Sequence, residues 1–288
     1  MAAEPQKIAL VTGASNGIGL YTALGLAARG FCVIMHGRDA GRTERARKLV
    51  AGRPGTIAPE TALADFASLK AVRGLADEVL ARHDRLDLLV NNAGLMAGSR
   101  RQSADGYELT IAVNHLAPFL LTNLLLDRLK AGAPSRIVTV ASRAHRGNTI
   151  DPAHLGDAPS DWTPFGAYGR SKLCNVLFTR ALAKRLQGTG IMTACLHPGV
   201  VATGIGGGGG GLVRLGWAIG KPFMLSPEKG AETSLFLATE ADPAQFHGAY
   251  VDNKRIIEPD RPARDDDLAE RLWEESARLV GLPVARAN

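Results

Sequence analysis

The segment VTGASNGIG, residues 11–19, decides the fold of this chain. It follows the short apolar run KIALVT at 7–12 and opens a stretch with helical periodicity. Gly13 permits a tight turn, Gly17 lets the backbone approach a pyrophosphate, and Gly19 allows close packing of helix on strand. The first turn of such a helix offers free N–H groups and a positive dipole end to phosphates. This order of strand, turn and helix predicts dinucleotide binding rather than a merely structural turn, with contacts from Gly13, Ser15, Asn16, Gly17, Ile18 and Gly19.

Outward from this segment, short runs rich in Val, Ile and Leu alternate with longer segments of helical period. This alternation is typical of βαβ units that build a parallel sheet. We therefore expect one α/β domain, a Rossmann-type doubly wound parallel sheet of about seven strands with helices on both faces. The expected strands are 7–12, 31–36, 61–65, 86–91, 135–140, 191–197 and 247–252, and the expected helices include 17–30, 68–83, 108–130 and 168–187.

The single domain, residues 1–288, divides into functional parts. We expect a dinucleotide-binding half over 7–140, a catalytic and substrate-binding half over 141–255, and a helical tail over 260–288. A loop rich in Pro, Gly and Asp occupies 145–166, and long loops of this kind often line sites. The stretch 206–225 begins with six consecutive glycines and continues into an apolar segment. It is interpreted as a mobile substrate lid, a peripheral membrane contact or a plain connector.

The composition argues against several classes of protein. The formal charge is +6 and the pI is about 9.4, but the basic residues are interleaved with acids. That pattern is typical of solvated helix faces and not of a nucleic-acid surface. Cys32, Cys174 and Cys195 stand singly in apolar runs, so neither a disulfide framework nor a metal-ligand spacing is indicated. No segment reaches the roughly 18 apolar residues of a membrane span. We expect a cytoplasmic protein without metal, nucleic-acid partner or membrane span.

The end of the second predicted strand bears on the choice of dinucleotide. The residues there are His36, Gly37 and Arg38. An acid at this place would bind a ribose 2′-hydroxyl, whereas an arginine accommodates the 2′-phosphate of NADP. Arg38 therefore favours NADP(H) over NAD(H). Arg42 either assists Arg38 or faces water.

A tyrosine and a lysine stand four residues apart in GAYGRSKLCN, residues 166–175. On a helix, Tyr168 and Lys172 lie on one face, about 5–6 Å apart. A neighbouring ammonium favours the phenolate and should lower the pKa of Tyr168 towards neutral pH. Tyr168 is then a candidate general acid for a carbonyl oxygen and, in reverse, a base for an alcohol.

Two polar residues strengthen this hypothesis. Ser142 follows the strand SRIVTV, and the carboxyl ends of parallel strands are where ligands bind. Its hydroxyl could bond a substrate oxygen as charge develops there. Asn114 lies inside a helical pattern where asparagine has poor propensity, so it either faces solvent or has a function. The motif NNAG at 91–94 closes the fourth strand on the same side.

With these residues in place, the sequence resembles the short-chain dehydrogenase/reductase family, and within it the retinol-dehydrogenase-like group. The matching motifs are TGASNGIG at 12–19, Asp65 in ADF, NNAG at 91–94, Asn114 in VNHLAPFLLT, Ser142, YGRSK at 168–172 and HPGVVATGI at 197–205. They occur in the order of the family. His36–Gly37 departs from the Ala-Cys of many relatives, and the six-glycine run leaves the substrate pocket undefined.

The resemblance implies roles for individual residues. Asp65 would contact the adenine edge, and Asn91, Ala93 and Gly94 would support the cofactor and the central strand. The backbone of Pro198, Gly199, Val201 and Thr203 would meet the nicotinamide carboxamide. Lys172 would also hold the nicotinamide ribose beside Tyr168, and Asn114 would fix a water that links Lys172 to solvent. The family uses no metal, delivers hydride from the B face, and commonly forms dimers or tetramers through the helices that carry Asn114 and Tyr168.

The sequence therefore predicts an NADP(H)-dependent oxidoreductase that reduces a ketone or aldehyde, or runs in reverse. Trp162, Phe165, Trp217 and Phe223 indicate a bulky lipophilic substrate, unless they are plain core residues. Retinoid-like or steroid-like compounds and aromatic polyketide ketones of antibiotic biosynthesis are candidates. The alternative is a regulatory protein that senses NADP(H) without turnover. In either case we expect a homodimer or homotetramer.

Overall fold

The computed structural model describes residues 6–199 and 225–284. Within them, one sheet of eight strands runs in the order β3-β2-β1-β4-β5-β6-β7-β8. Strands β1 to β7 are parallel, and β8 pairs antiparallel with β7. The strands are β1 (Ile8–Val11), β2 (Cys32–Gly37), β3 (Glu60–Leu63), β4 (Leu88–Asn91), β5 (Ser135–Val140), β6 (Ile191–His197), β7 (Tyr250–Asp252) and β8 (Arg255–Ile256).

Helices connect the strands and cover both faces of the sheet. They are α1 (Gly17–Ala27), α2 (Ala40–Ala51), α3 (Leu69–Arg82), α4 (Leu109–Ile111), α5 (Ala117–Leu124), α6 (Leu126–Ala131), α7 (Pro164–Arg185), α8 (Pro227–Thr239), α9 (Pro243–Phe246) and α10 (Asp266–Leu279). A π turn, Ala112–Leu116, joins α4 to α5 without a break in the helical path. Short 3₁₀ turns occur at Arg143–His145, Pro152–His154 and Arg261–Arg264.

The strands form because their side chains can be buried on both faces. Every residue of β2, β4 and β6 is buried, as expected for a parallel sheet covered by helices. One apolar core lies between the sheet and helices α3, α5, α7 and α10. A second core lies between the other face and helices α1, α2 and α8. The doubly wound α/β fold predicted from the alternation is confirmed.

The strand order brings the predicted functional segments together. The central strands β1, β4, β5 and β6 are neighbours, and their carboxyl ends share one edge of the sheet. The glycine segment, NNAG, Ser142 and HPG each follow one of these four strands. Ligands of open α/β sheets bind at this edge, where the strand order reverses.

The structure differs from the sequence prediction in two respects. The two-residue strand β8 was not predicted, because so short an antiparallel segment carries no periodic signal. The predicted helix 108–130 changes to π geometry at Ala112–Leu116 and breaks at Leu125. Val201, Thr203, Trp217 and Phe223 lie outside the described residues, as does all of the proposed lid at 206–225 except Leu225.

Candidate active site

The glycine loop between β1 and α1 has the backbone conformation that its glycines permit. Gly13 and Gly17 have positive φ angles of 66° and 54°, a region that side chains disfavour. A Cβ on Gly19 would collide with the carbonyl oxygen of Gly13. The loop therefore depends on glycine at these three positions, as the spacing predicted.

The N terminus of α1 is suited to an anion. Asp39, Ser68 and Thr163 each accept a hydrogen bond from a first-turn N–H of the helix that follows them. Asn16, which precedes α1, makes no such side-chain bond, so its helix keeps first-turn N–H groups for another acceptor. A dinucleotide phosphate fits this arrangement because it supplies the missing acceptor.

Hydrogen bonds of Thr12 and Asn92 connect the glycine loop to the segment that follows β4. The Thr12 hydroxyl accepts hydrogen bonds from the backbone N–H groups of Asn92 and Ala93, each at 2.9 Å. The Asn92 side chain donates in turn to the carbonyl oxygens of Thr12 at 2.8 Å and Gly13 at 3.3 Å. Neither residue was among the predicted contacts, although both belong to the motifs TGASNGIG and NNAG.

His36 supports the loop from the side of β2. Its Nδ1 accepts from the Gly13 N–H at 3.2 Å, and its Nε2 lies 3.1 Å from the Ala64 carbonyl oxygen, to which it must therefore donate. The ring is stacked on Phe66 with centroids 4.3 Å apart. Burial lowers the pKa of His36 to about 4, so the ring is neutral at physiological pH. Sequence reasoning treated His36 only as a departure from relatives and missed this role.

Position 37 has no room for a side chain. A Cβ on Gly37 would collide with the hydroxyl of the buried Thr43, which is held by a 2.8 Å bond to the Asp39 carbonyl oxygen. The next residue, Arg38, is exposed. Asp65, the predicted adenine contact, is also exposed, and its Oδ1 accepts from Ala67 N–H at 3.0 Å.

Ser142, Tyr168 and Lys172 converge at the end of β5. Ser142 directly follows the strand and accepts from Ala144 N–H at 3.2 Å. Tyr168 lies one turn into α7, close enough to Ser142 for the serine hydroxyl to lower the tyrosine pKa. The Lys172 Nζ lies 5.5 Å from the centre of the Tyr168 ring and donates to the Val140 carbonyl oxygen at 2.8 Å. The four-residue spacing thus brings the two side chains together as expected.

The direction of the Tyr168 pKa shift is opposite to the one predicted. Burial raises the pKa of Tyr168 to about 12, and the hydrogen bond with Ser142 offsets only part of this rise. Burial also lowers the pKa of Lys172 to about 8, because a charged ammonium is unfavourable in this apolar setting. The sequence indicated that the two groups are close, but not that Lys172 is buried and Tyr168 partly buried. In the polypeptide alone, desolvation therefore outweighs the attraction between ammonium and phenolate.

Asn114 is buried and its side chain is fully engaged. Its Oδ1 accepts from Leu95 N–H at 2.8 Å, and its Nδ2 donates to the Leu95 carbonyl oxygen at 2.8 Å and to Ser171 Oγ at 2.9 Å. The alternative of a solvent-facing asparagine is therefore wrong. The residue lies in the π turn, a feature frequent at functional sites. These bonds tie the strand β4 segment to α7, next to Tyr168.

The NNAG motif lies between the glycine loop and the side chains of Asn114 and Lys172. A Cβ on Gly94 would stand 3.2 Å from Asn114 Oδ1 and 3.6 Å from Lys172 Nζ, so glycine allows both side chains to approach the backbone. Asn91 instead points into the core, where its Nδ2 donates to Thr122 Oγ1 at 2.9 Å. Asn91 therefore supports the strand, and Ala93 and Gly94 lie at the site.

Two further histidines hold the loop after β5. His145 lies 2.7 Å from the Ser142 carbonyl oxygen through Nδ1, and its Nε2 accepts from Asp260 N–H at 3.2 Å. His197 Nδ1 accepts from Arg143 N–H at 3.3 Å. Burial lowers the pKa of both rings, that of His197 to about 4. Sequence reasoning missed both, since a histidine in a strand or loop gives no signal of the backbone groups it will meet.

The remaining predicted contacts and aromatic residues are distributed over different environments. Pro198 and Gly199 follow β6 at the site edge, and Gly199 has a positive φ of 83°. Trp162 packs against the core and donates through Nε1 to Glu108 at 3.2 Å, which favours the core interpretation for this residue. Phe165 is 66% exposed on the first turn of α7, three residues before Tyr168.

No helix within the described ranges is long and apolar enough to cross a membrane. In the same part of the chain, no three His, Cys, Asp or Glu side chains are grouped as metal ligands.

The comparisons with known proteins agree with this geometry. A family model described as short chain dehydrogenase matches residues 7–208. The chain belongs to the short chain dehydrogenase family. It is 43% identical to human retinol dehydrogenase 13 over 283 residues, covering 96% of this chain and 86% of that protein. It is 40% identical to human retinol dehydrogenase 12 over 278 residues, covering 96% and 87%.

Solved structures of short chain dehydrogenases share the fold. A crystal structure of an uncharacterized protein from Mycobacterium paratuberculosis matches with a TM-score of 0.79 at 32% identity, covering 97% of this chain and 95% of that one. A structure described as an NAD(P) dependent gluconate 5-dehydrogenase from Beutenbergia cavernae, with bound NADP, matches with a TM-score of 0.69 at 28% identity, covering 87% and 96%. This short chain dehydrogenase is thus an oxidoreductase with a nicotinamide cofactor, similar to retinol dehydrogenases.

Proposed function

We propose that this short chain dehydrogenase is an NADP(H)-dependent carbonyl reductase or alcohol dehydrogenase for a bulky lipophilic substrate. The observation that carries the proposal is that Ser142, Tyr168 and Lys172 come together at the end of β5, with Lys172 Nζ 5.5 Å from the centre of the tyrosine ring. These groups give the site a proton donor, an oxygen ligand and a cation within one small volume. General acid catalysis requires such a donor within hydrogen-bond reach of the reacting oxygen.

Tyr168 acts as the general acid in the reductive direction. Because its pKa is raised to about 12, the phenol keeps its proton at neutral pH and can give it to a carbonyl oxygen. Ser142 holds the same oxygen as negative charge develops on it. Lys172, with a pKa near 8, remains largely protonated at pH 7 and stabilises the phenolate that forms.

The residues present fit a nicotinamide dinucleotide. The glycine loop with Ser15, Asn16 and Ile18 would hold the pyrophosphate, Asp65 would reach the adenine, and Ala93, Gly94, Tyr168 and Lys172 would line the nicotinamide ribose. Pro198 and Gly199 would meet the carboxamide; Val201 and Thr203 are proposed with them. When bound, the cofactor supplies the hydride and, in its oxidised form, a positive ring charge that favours phenolate. Asn114 holds the Leu95 backbone next to Ser171 of α7 through its side-chain hydrogen bonds.

The preference for NADP(H) over NAD(H) is supported at the end of β2. Thr43 excludes any acid at position 37, so no carboxylate from that position can bind a ribose 2′-hydroxyl. Arg38 follows as an exposed cation suited to a 2′-phosphate. NADP is also the cofactor in the structure from Beutenbergia cavernae.

The substrate class is proposed from exposed apolar surface and from the relatives. Phe165 presents most of its ring to solvent one turn from Tyr168, where a lipophilic substrate would enter. The relatives named retinol dehydrogenases support a retinoid-like or steroid-like compound. An aromatic polyketide ketone of antibiotic biosynthesis is the other candidate, and a cytoplasmic location stays a prediction.

Turnover with a panel of bulky ketones tests the proposed reaction. The parent should consume NADPH, and Tyr168→Phe should lose turnover by a factor of about 100 or more while still binding NADPH. Tyr21→Phe makes the same chemical change on α1, outside the group of Ser142, Tyr168 and Lys172, and should leave kcat unchanged. Equal activity of Tyr168→Phe and the parent would remove Tyr168 from the mechanism. NADPH binding without turnover of any ketone or alcohol would instead favour the regulatory alternative.

The ratio of affinities for NADPH and NADH tests the proposed cofactor preference. Arg38→Ala should weaken NADPH binding about 10-fold to 100-fold, since a charge-assisted bond is lost, and leave NADH binding nearly unchanged. Arg45→Ala removes a similar exposed cation from α2 and should change neither affinity. Equal losses for the two dinucleotides would contradict a role for Arg38 at the 2′-phosphate.

A further inference from the structure

The C-terminal helix α10 packs against α7, which carries Tyr168 and Lys172, and reaches Phe119 of α5. Trp273 of α10 is only 6% exposed. Its ring centroid lies 4.8 Å from that of Phe119 on α5, in an edge-to-face arrangement. It also lies 5.9 Å from Phe178 on α7, with the rings nearly parallel. Aromatic rings packed in this way contribute strongly to an interface.

Buried polar bonds fix α10 in one register. His115 Nε2 lies 2.8 Å from Ser276 Oγ, and both side chains are buried. The Tyr107 hydroxyl donates to the Leu279 carbonyl oxygen at 2.8 Å. The Arg73 guanidinium donates to the carbonyl oxygen of Val280 at 2.6 Å. Removing α10 would leave the buried His115 and the partly buried Tyr107 and Arg73 without these partners, which is unfavourable.

The charges of the two helices are complementary. Asp266 pairs with Arg180 and with Lys184, whose Nζ lies 3.0 Å from the carboxylate. Glu270 pairs with Arg185, whose guanidinium also lies 4.0 Å from the centre of the Trp273 ring. The carboxyl-terminal half of α7 is thus basic, and the acids that neutralise it come from α10.

We infer that α10 closes the face of α5 and α7 within one chain, so that this face is not where two copies meet. This inference is an alternative to the expected association through the helices that carry Asn114 and Tyr168. A two-fold contact would place the same patch of each copy against the other. Without α10, Arg180, Lys184 and Arg185 of one copy would lack the acids that neutralise them. Any assembly of this protein uses another surface. The inference is independent of the proposed catalytic function.

Cross-linking in the full chain tests the inference directly. In Lys184→Cys/Asp266→Cys, a short bismaleimide should join the two cysteines within one chain, which then migrates at the mass of a single chain. Each single variant serves as a control, since the natural cysteines Cys32, Cys174 and Cys195 are buried. A product of two linked chains would overturn the inference, and so would the absence of a link identified by peptide mass spectrometry.

A second measurement does not depend on cross-linking. Trp273→Asp puts a charge into the aromatic cluster, so amide exchange over 112–124 and 266–279 should accelerate about 100-fold. Arg271→Asp places the same carboxylate on the exposed side of α10 and should leave exchange unchanged. Equal protection of α10 in Trp273→Asp and the parent would show that Trp273 does not hold the helix on this face.

Discussion

Acidification from pH 7 to pH 5 should destabilise this protein strongly, because three buried histidines must stay neutral in the fold. The pKa of His36 and His197 is lowered to about 4 and that of His115 to about 3, in each case chiefly by burial. In the unfolded chain all three titrate near pH 6.5. Below that pH the unfolded state binds protons that the folded state does not, so stability falls as the pH falls.

The size of the loss follows from the interval between the two pKa values. From pH 6.5 to pH 5 each histidine loses about 1.5 × 1.4, or about 2 kcal/mol, of its contribution to the free energy of unfolding. Three groups together lose about 6 kcal/mol, which is comparable to the whole stability of many domains. The loss of stability caused by His36 and His197 levels off near pH 4, because the folded state also takes up the proton there.

Urea denaturation followed by circular dichroism at pH 7, 6, 5.5 and 5 measures this loss. At pH 5.5 the slope of the free energy of unfolding against pH should correspond to uptake of about 0.9 proton per buried histidine on unfolding. His197→Asn should remove about one proton from that slope. His154 is the matched control, because it is exposed and its bond to Asp157 raises its pKa, so its replacement should not reduce the slope. Stability that stays flat between pH 7 and pH 5 would refute the reasoning.

Three substitutions test other parts of the structure. Gly37→Asp should not convert the enzyme to NAD(H), because Thr43 occupies the space; Gly37→Asp/Thr43→Ala should bind NADH better than the single variant, as read from fluorescence titration. Thr12→Val takes the acceptor from the Ala93 N–H, whereas the Asn92 N–H keeps its 3.0 Å bond to the Val90 carbonyl oxygen. The free energy of unfolding should fall by about 1–3 kcal/mol, with weaker NADPH binding. Glu108→Gln offers one acceptor where Trp162 Nε1 and a backbone N–H need two, so urea denaturation should register a loss of about 1–3 kcal/mol. An unchanged NADH affinity in the double variant would contradict the role of Thr43. An unchanged free energy of unfolding would contradict the contacts described for Thr12 or Glu108.

The sequence predicted the sheet and the position of the site well because both depend on local patterns. Apolar runs alternating with helical periods are sufficient to indicate a doubly wound sheet, and strand, turn and helix in VTGASNGIG locate its ligand edge. The four-residue spacing of Tyr168 and Lys172 likewise becomes a contact on any helix. These inferences need only the periodicity of the elements and the conformational freedom of glycine.

What the sequence could not supply is the environment of each group. The sign of the Tyr168 pKa shift depends on desolvation, which is a property of everything packed around the ring. The roles of His36, His145 and His197 depend on contacts with backbone groups of other strands and loops. No local sequence pattern indicates these contacts. The closure of α5 and α7 by α10 joins segments more than 80 residues apart in the chain.

By itself, the sequence determined where the glycine turn and the strands lie and which side chains can donate a proton. These features depend on residue type and on the local periodicity of helices and strands. Only the tertiary structure decided which of those residues are kept from water and which surfaces are already covered. The reason is physical: burial and contact are set by the whole packed chain, and they reverse the expected direction of the Tyr168 pKa shift and place α10 on α7.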